Sequence, residues 1–154
     1  MNKELLEKIA RLEAELEEVK EIIDGGALKP KDGQKYWFTS GSGEVYESQW
    51  DNHPTDHSRY SIGNCFPTEQ SAEDTVRVLK LIQKARESQN GFVPDWDDST
   101  QRKYILHFED NGIWVGNNIS RNLAPTLGYW GDKSECDKFA KDNHNELIWF
   151  FTEY

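Results

Sequence analysis

Apolar residues at the start of the chain recur at alternating intervals of four and three positions. Six residues form this pattern: Leu5, Ile9, Leu12, Leu16, Val19 and Ile23. Because this 3.5-residue period is typical of coiled coils, it predicts an oligomerisation helix over 1–24. The pattern stops at Asp24-Gly25-Gly26, a common helix end, and 25–34 is therefore predicted to be a linker.

Charges beside this stripe indicate that the helix pairs with copies of itself. In a parallel arrangement Lys8 meets Glu13 and Glu15 meets Lys20, so both contacts are attractive. A β-branched residue, Val19, at a d position favours a trimer or higher oligomer over a dimer. The alternative is a helix that packs against its own domain.

From residue 35 onward the apolar positions are spaced as in strands rather than helices. Two β-hairpins are predicted, one over 36–47 and one over 104–115. Each hairpin precedes a polar loop and a short strand, over 59–62 and 127–130 respectively.

An amphipathic helix is predicted after each short strand. The first is capped by Thr68, ends near Ser88 and has an apolar face of Ala72, Val76, Leu79, Ile82 and Ala85. The second begins at Asp132, where Glu135 completes a capping box, and ends near Asn143. Residues 146–153 continue this helix or form a closing strand.

Hairpin, loop, strand and helix thus occur twice, which indicates two similar ββ(β)α halves at 35–90 and 102–154. The predicted fold class is α+β. An N-terminal coiled-coil helix precedes one globular domain over 35–154, in which a small antiparallel sheet carries two helices.

Composition narrows the possible functions. The 154 residues include 18 basic and 28 acidic side chains, a formal charge of −10, which argues against sequence-specific nucleic-acid binding. Aromatic residues make up 12% of the chain, enough to build a small core from rings. Neither a signal peptide nor a membrane-spanning apolar run is present, so we expect a cytoplasmic protein with no membrane partner.

Few side chains suggest catalysis or a cofactor. Asp51, His53, Asp56 and His57 could ligate a metal, but a solvated loop is the simpler interpretation, and no metal site is predicted. Neither Cys65 nor Cys136 has a nearby histidine in sequence to activate it, and both are expected to be half-buried thiols. No phosphate-binding glycine motif is present either. We therefore expect no enzyme activity and no cofactor.

Ligand binding is better supported, by a mixture of rings, guanidinium groups and amides in each half. The candidate binding residues are Trp50, Arg59, Tyr60, Asn64, Trp114, Asn118 and Arg121. A stacking ring, a cation for phosphate and an amide for a base edge are what a nucleotide requires. Alternatively, the tryptophans belong to the core and the arginines pair with surface carboxylates.

Several stretches resemble a family of small bacteriophage and prophage proteins. The resemblance is carried by Tyr36-Trp37-Phe38, by the turn Gly63-Asn64-Cys65-Phe66-Pro67-Thr68 and by the pair Leu79-Lys80, to which the helix after the turn continues. It implies a counter-defence protein in the host cytoplasm, a homo-oligomer that sequesters a small nucleotide-type immune signal in pockets between subunits. The alternatives are an acidic inhibitor that binds a nucleic-acid-handling defence protein directly, and a virion or DNA-metabolism accessory protein.

Overall fold

The chain forms two compact units, each with α and β structure. The computed structural model describes residues 29–110, 112–117 and 125–154, together with Lys8. We call Met1–Glu73 the first unit and Asp74–Tyr154 the second. The six predicted heptad residues lie outside the described residues, so the coiled coil stays a prediction: Leu5, Ile9, Leu12, Leu16, Val19 and Ile23.

The α+β class agrees with the sequence-based prediction. The described elements are β1 (Lys35–Thr39), β2 (Val45–Gln49), α1 (Pro54–Ser61), α2 (Glu69–Ser88), β3 (Tyr104–Glu109), β4 (Gly112–Asn117), α3 (Lys133–Asp142) and α4 (His144–Thr152). The strands form two separate antiparallel pairs rather than one small sheet, and four helices replace the two expected. None of these four helices combines the length and the apolar character that crossing a membrane requires.

The first unit is built on the predicted hairpin. β1 pairs with β2, with Trp37 opposite Glu47. The turn between them needs Gly43, whose positive φ of 81° favours glycine. A short bridge then joins Trp37 to Phe66, each donating its N–H to the other's carbonyl at 2.8 Å.

Helix α1 occupies a segment that the sequence suggested to be loop and strand, so the predicted strand over 59–62 is wrong. Pro54 stands in the first turn, where a missing N–H costs nothing. His53 caps the helix by accepting from the Thr55 N–H, and the Asp56 carboxylate in turn accepts from the His53 N–H. This reciprocal capping starts a helix within a very polar stretch.

Long helix α2 begins where predicted, because the Thr68 hydroxyl accepts from the Ser71 N–H. Most of its predicted apolar face is confirmed: Ala72, Val76 and Ala85 are buried, and Ile82 packs on the core. Leu79 is the exception, because it is 56% exposed whereas its neighbours Val78 and Leu81 are buried. The buried side of the helix is thus wider than a single stripe, which periodicity alone did not indicate.

The second unit repeats the hairpin and adds a larger core. β3 pairs with β4, with His107 opposite Trp114, and Tyr104 exchanges two hydrogen bonds with Trp130. The predicted cap Asp132 accepts from the N–H groups of Ser134 and Glu135 and starts α3. The core residues are Leu81, Ala85, Leu106, Leu127, Trp130, Cys136, Phe139 and Leu147.

The aromatic C-terminus forms a separate helix, α4, rather than a strand. Arg77 of α2 holds it by a bidentate pair with Glu146, Nε to Oε2 at 2.6 Å and a second guanidinium N–H to Oε1 at 3.1 Å. The same guanidinium lies 3.7 Å from the centre of the Trp149 ring. Hydrogen bonding to Arg77 lowers the pKa of the Glu146 carboxyl.

Candidate functional site

The first unit brings the four predicted binding residues Trp50, Arg59, Tyr60 and Asn64 close together, but each serves the unit's own structure. Trp50 is only 1% exposed, with its ring edge-on to Tyr36, His57 and Tyr60. A ring so enclosed offers no face on which a ligand could stack.

Asn64 is likewise engaged by the protein backbone. Its side-chain oxygen accepts from the Thr39 N–H at 2.8 Å, and its amide nitrogen donates to the Thr39 carbonyl at the same distance. The amide therefore closes the end of β1 much as a neighbouring strand would. Most of the hydrogen-bonding groups of the Asn64 side chain are therefore unavailable to a ligand.

Arg59 belongs to a polar network inside the first unit. Its guanidinium donates to the Tyr36 hydroxyl at 2.8 Å and lies 3.4 Å from the centre of the Phe38 ring. The Tyr36 hydroxyl in turn donates to Asp56 Oδ1 at 2.7 Å, and the Asp56 side chain is buried. The network joins helix α1 to the hairpin.

Burial alone would raise the pKa of Asp56, but its hydrogen bonds prevail. The carboxylate accepts from the Tyr36 hydroxyl and from the backbone N–H groups of Asp51 and His53. These bonds stabilise the ionised form, so the pKa of Asp56 lies below its usual range. Asp56 is therefore a structural anion and is not poised as an acid or base.

The two cysteines are buried thiols. Burial raises the pKa of Cys65, and it raises the pKa of Cys136 to about 12. Neither thiol would ionise appreciably near neutral pH, which makes both poor nucleophiles. Within the described ranges no cluster of three or more His, Cys, Asp or Glu side chains is arranged to hold a metal ion.

A groove of about 360 Å³ in the second unit is the better candidate site. It is lined by Ile113, Trp114, Val115, Lys133, Asp137, Ala140, Lys141 and His144. The first three are consecutive residues of β4. The rest belong to α3 and to the first residue of α4, so the groove runs beside a strand and along a charged helix face.

Positive charge dominates among the groups that line this groove. Lys133 forms a 2.6 Å ion pair with Asp137 one turn later, which neutralises both. Over the part of the chain that the structure describes, the side chains of Lys141 and His144 have no hydrogen-bond or ion-pair partner. An ammonium group and an imidazole are thus left to bind an anion.

Trp114 is the one exposed tryptophan among the predicted binding residues that the structure describes. It is 55% exposed, and its indole Nε1–H donates to the Glu109 carbonyl at 3.0 Å. That bond holds the ring in one orientation while much of its surface remains accessible. The other two candidates of this half, Asn118 and Arg121, lie outside the described residues.

Sequence reasoning overlooked the helix side of the groove, although a signal was present. Lys133, Asp137, Ala140 and Lys141 follow one another at intervals of four, three and one, which places them on one face of α3, and His144 begins α4 three residues later. That face borders the buried stripe of the same helix. What the sequence does not indicate is which strand the face adjoins.

Comparisons with known proteins provide no family assignment. No protein-family model matches the chain, and neither the curated proteins nor the solved structures yield a significant match. The resemblance to bacteriophage proteins therefore stays a prediction, and the functional argument has to come from the groove itself.

Proposed function

We propose that this protein is a non-enzymatic binding protein that captures a small nucleotide-type anion in the groove of the second unit. The observation that carries the proposal is an exposed, fixed indole ring beside an unpaired ammonium group and imidazole, at Trp114, Lys141 and His144. A ring provides stacking for a base, and cations bind phosphate. The groove's volume is at the lower end of the range for small-molecule sites.

The biological role that fits such binding is sequestration of a nucleotide immune signal by a phage-encoded counter-defence protein. Two sequence features support it: the resemblance of residues 36–80 to bacteriophage proteins, and the heptads over 1–24, which would assemble several grooves in one homo-oligomer. A protein that only sequesters a nucleotide needs many binding sites and no catalytic groups.

The proposal of two similar ββ(β)α halves has a structural argument in its favour. In each unit the first strand of the hairpin is bridged by a residue just before the next helix, at Trp37–Phe66 and at Tyr104–Trp130. Both bridges exchange two hydrogen bonds. We therefore regard the units as two versions of one plan, with an open groove in the second.

The alternative, an acidic inhibitor, would bind a nucleic-acid-handling defence protein through negative surface charge. Part of that charge lies in the loop of Asp95, Asp97 and Asp98. There Asp95 accepts from two N–H groups of its own loop, and Asp98 accepts from Thr100 and Gln101. These two carboxylates support the loop, which favours the nucleotide proposal over the inhibitor.

Replacing Lys141 with alanine is expected to weaken nucleotide binding about tenfold, roughly 1.4 kcal/mol, because the groove loses its unpaired ammonium group. Lys138→Ala is the matched control, since Lys138 is exposed on the same helix but does not line the groove. Native mass spectrometry of the full-length chain with AMP, GMP and a cyclic dinucleotide measures the bound fraction. Equal binding by both variants would place the ligand elsewhere.

Trp114→Ala is expected to reduce affinity by roughly ten- to a hundredfold, since stacking on an aromatic ring contributes about 1–3 kcal/mol per base. Folding should be unaffected because the ring is mostly exposed. Tyr46→Ala, at an exposed ring of the first unit, serves as the control. Isothermal titration calorimetry with the same nucleotides measures the affinity of each variant. Undiminished affinity of the Trp114 variant would show that the nucleotide does not bind in this groove.

A further inference from the structure

In the sheet formed by β3 and β4, the hydrogen bonds of Tyr104 determine which backbone groups of β4 face outward. Tyr104 donates its N–H to the Trp130 carbonyl and accepts from the Trp130 N–H, so both backbone groups of Tyr104 point away from β4. Along an antiparallel pair, residues that exchange hydrogen bonds alternate with residues that do not. His107 and Trp114 are therefore a hydrogen-bonded pair, whereas Leu106 and Val115 are not.

It follows that Ile113 and Val115 turn their N–H and carbonyl groups away from β3. Their side chains pack on the core, yet both residues line the groove. The intervening residue Trp114 also lines the groove, although its side chain lies on the opposite face of the sheet, so the groove borders the outer edge of β4 to which these backbone groups point. Over the described ranges no hydrogen bond from another residue occupies this strand edge.

We infer that this free edge of β4 reads the base of the captured nucleotide and selects an adenine-type base. The inference rests on the proposed function, since it assigns specificity to the same groove. Read along the strand, the Ile113 carbonyl, the Val115 N–H and the Val115 carbonyl present acceptor, donor, acceptor.

Among the common bases, adenine fits this order best. Its amino group donates to the Ile113 carbonyl, its N1 accepts from the Val115 N–H, and only a C–H faces the Val115 carbonyl. Cytosine would place its O2 against that last carbonyl. Guanine and uracil carry a ring N–H at the position that faces the Val115 N–H, so two donors would meet there. Each of these mismatches leaves polar groups unpaired.

The groove's remaining walls suit a planar base in this position. Trp114 neighbours Ile113 and Val115 along β4 but points to the opposite face of the sheet, because side chains alternate along a strand. Ala140 of α3 also lines the groove, and its side chain packs on the core. A base bound at the edge would stand between Trp114 and Ala140, with its phosphate directed to Lys141.

The test compares AMP with IMP, which has the same size and phosphate but a carbonyl and a ring N–H where AMP has an amino group and a ring nitrogen. We expect AMP to bind the full-length chain at least tenfold more tightly than IMP. A 2,6-diaminopurine nucleotide, whose added amino group faces the Val115 carbonyl, should exceed AMP. In NMR spectra the Val115 amide should shift with AMP and remain in place with ribose 5-phosphate.

A proline variant tests the donor directly. Val115→Pro removes an N–H that the ladder does not use and should lower AMP affinity to that of IMP. Val45→Pro is its control, since Val45 occupies the corresponding outward position of β2: Trp37 bonds to Phe66 just as Tyr104 bonds to Trp130. This control should bind AMP normally.

The outcomes separate the two proposals. Equal affinity for AMP and IMP, or a Val115 amide that does not move with AMP, would overturn base reading by β4 and leave anion capture intact. If neither AMP, IMP nor ribose 5-phosphate binds at millimolar concentration, both proposals are wrong.

Discussion

Replacing Trp130 with alanine is expected to destabilise the second unit by about 4 kcal/mol, the usual cost of removing a large buried ring. Trp130 is fully buried, and its ring lies 5.3 Å from that of Phe139. Its indole N–H also donates to the Ser88 hydroxyl at 2.9 Å. The variant loses apolar contacts and leaves the half-buried Ser88 hydroxyl without this donor.

Hydrogen–deuterium exchange is the measurement, because it resolves the loss of stability by segment. Protection should fall in β3, β4 and α3. Trp114→Ala is the matched control, since it removes an indole ring from an exposed position of the same unit and should leave protection unchanged. Unchanged protection in the Trp130 variant would mean that the ring is not part of the core.

Replacing Asp56 with asparagine is expected to cost about 2 kcal/mol at neutral pH, because an amide has only one acceptor oxygen and its NH2 group would face a donor, either the Tyr36 hydroxyl or the N–H groups of Asp51 and His53. The effect should depend on pH. The folded pKa of Asp56 lies below the ordinary value of 3.8. The ionised carboxylate therefore stabilises the fold fully above that value, and its contribution disappears as the pH falls through the folded pKa.

Urea unfolding at a series of pH values measures this dependence. The difference in unfolding free energy between the natural chain and Asp56→Asn should be largest near neutral pH and shrink as the pH falls below the ordinary value of 3.8 toward the lower folded pKa. Asp142→Asn, at an exposed carboxyl, controls for the change in net charge. A difference that stays constant with pH would show that Asp56 is not bound as an anion.

Local signals in the sequence were sufficient for much of the fold. Both hairpins, the N-caps at Thr68 and Asp132 and the α+β class were predicted correctly. Each depends on residues close together in the chain, such as a glycine in a turn or a hydroxyl that accepts from an N–H three positions on. The helix over 54–61 was missed because its polar residues lack an apolar stripe and were predicted as loop and strand, whereas capping by His53 and a first-turn Pro54 start it.

The candidate site was predictable only in part. Trp50 and Trp114 were both plausible stacking rings, since the first follows a predicted hairpin and the second lies within one. Packing distinguishes them: the first is enclosed by three other rings, and the second stands on the uncovered face of a strand. Burial depends on neighbours distant in sequence, which a local pattern does not specify.

What the sequence determined by itself is the chain's acidity, its turns, its helix starts and the charged face of Lys133, Lys141 and His144. Only the tertiary structure placed that face beside β4 and turned the backbone of Val115 toward it. The physical reason is the range of the interactions. Caps and turns are satisfied within a few residues, whereas the exposed edge of β4 follows from the bond between Tyr104 and Trp130, residues 26 positions apart in the chain.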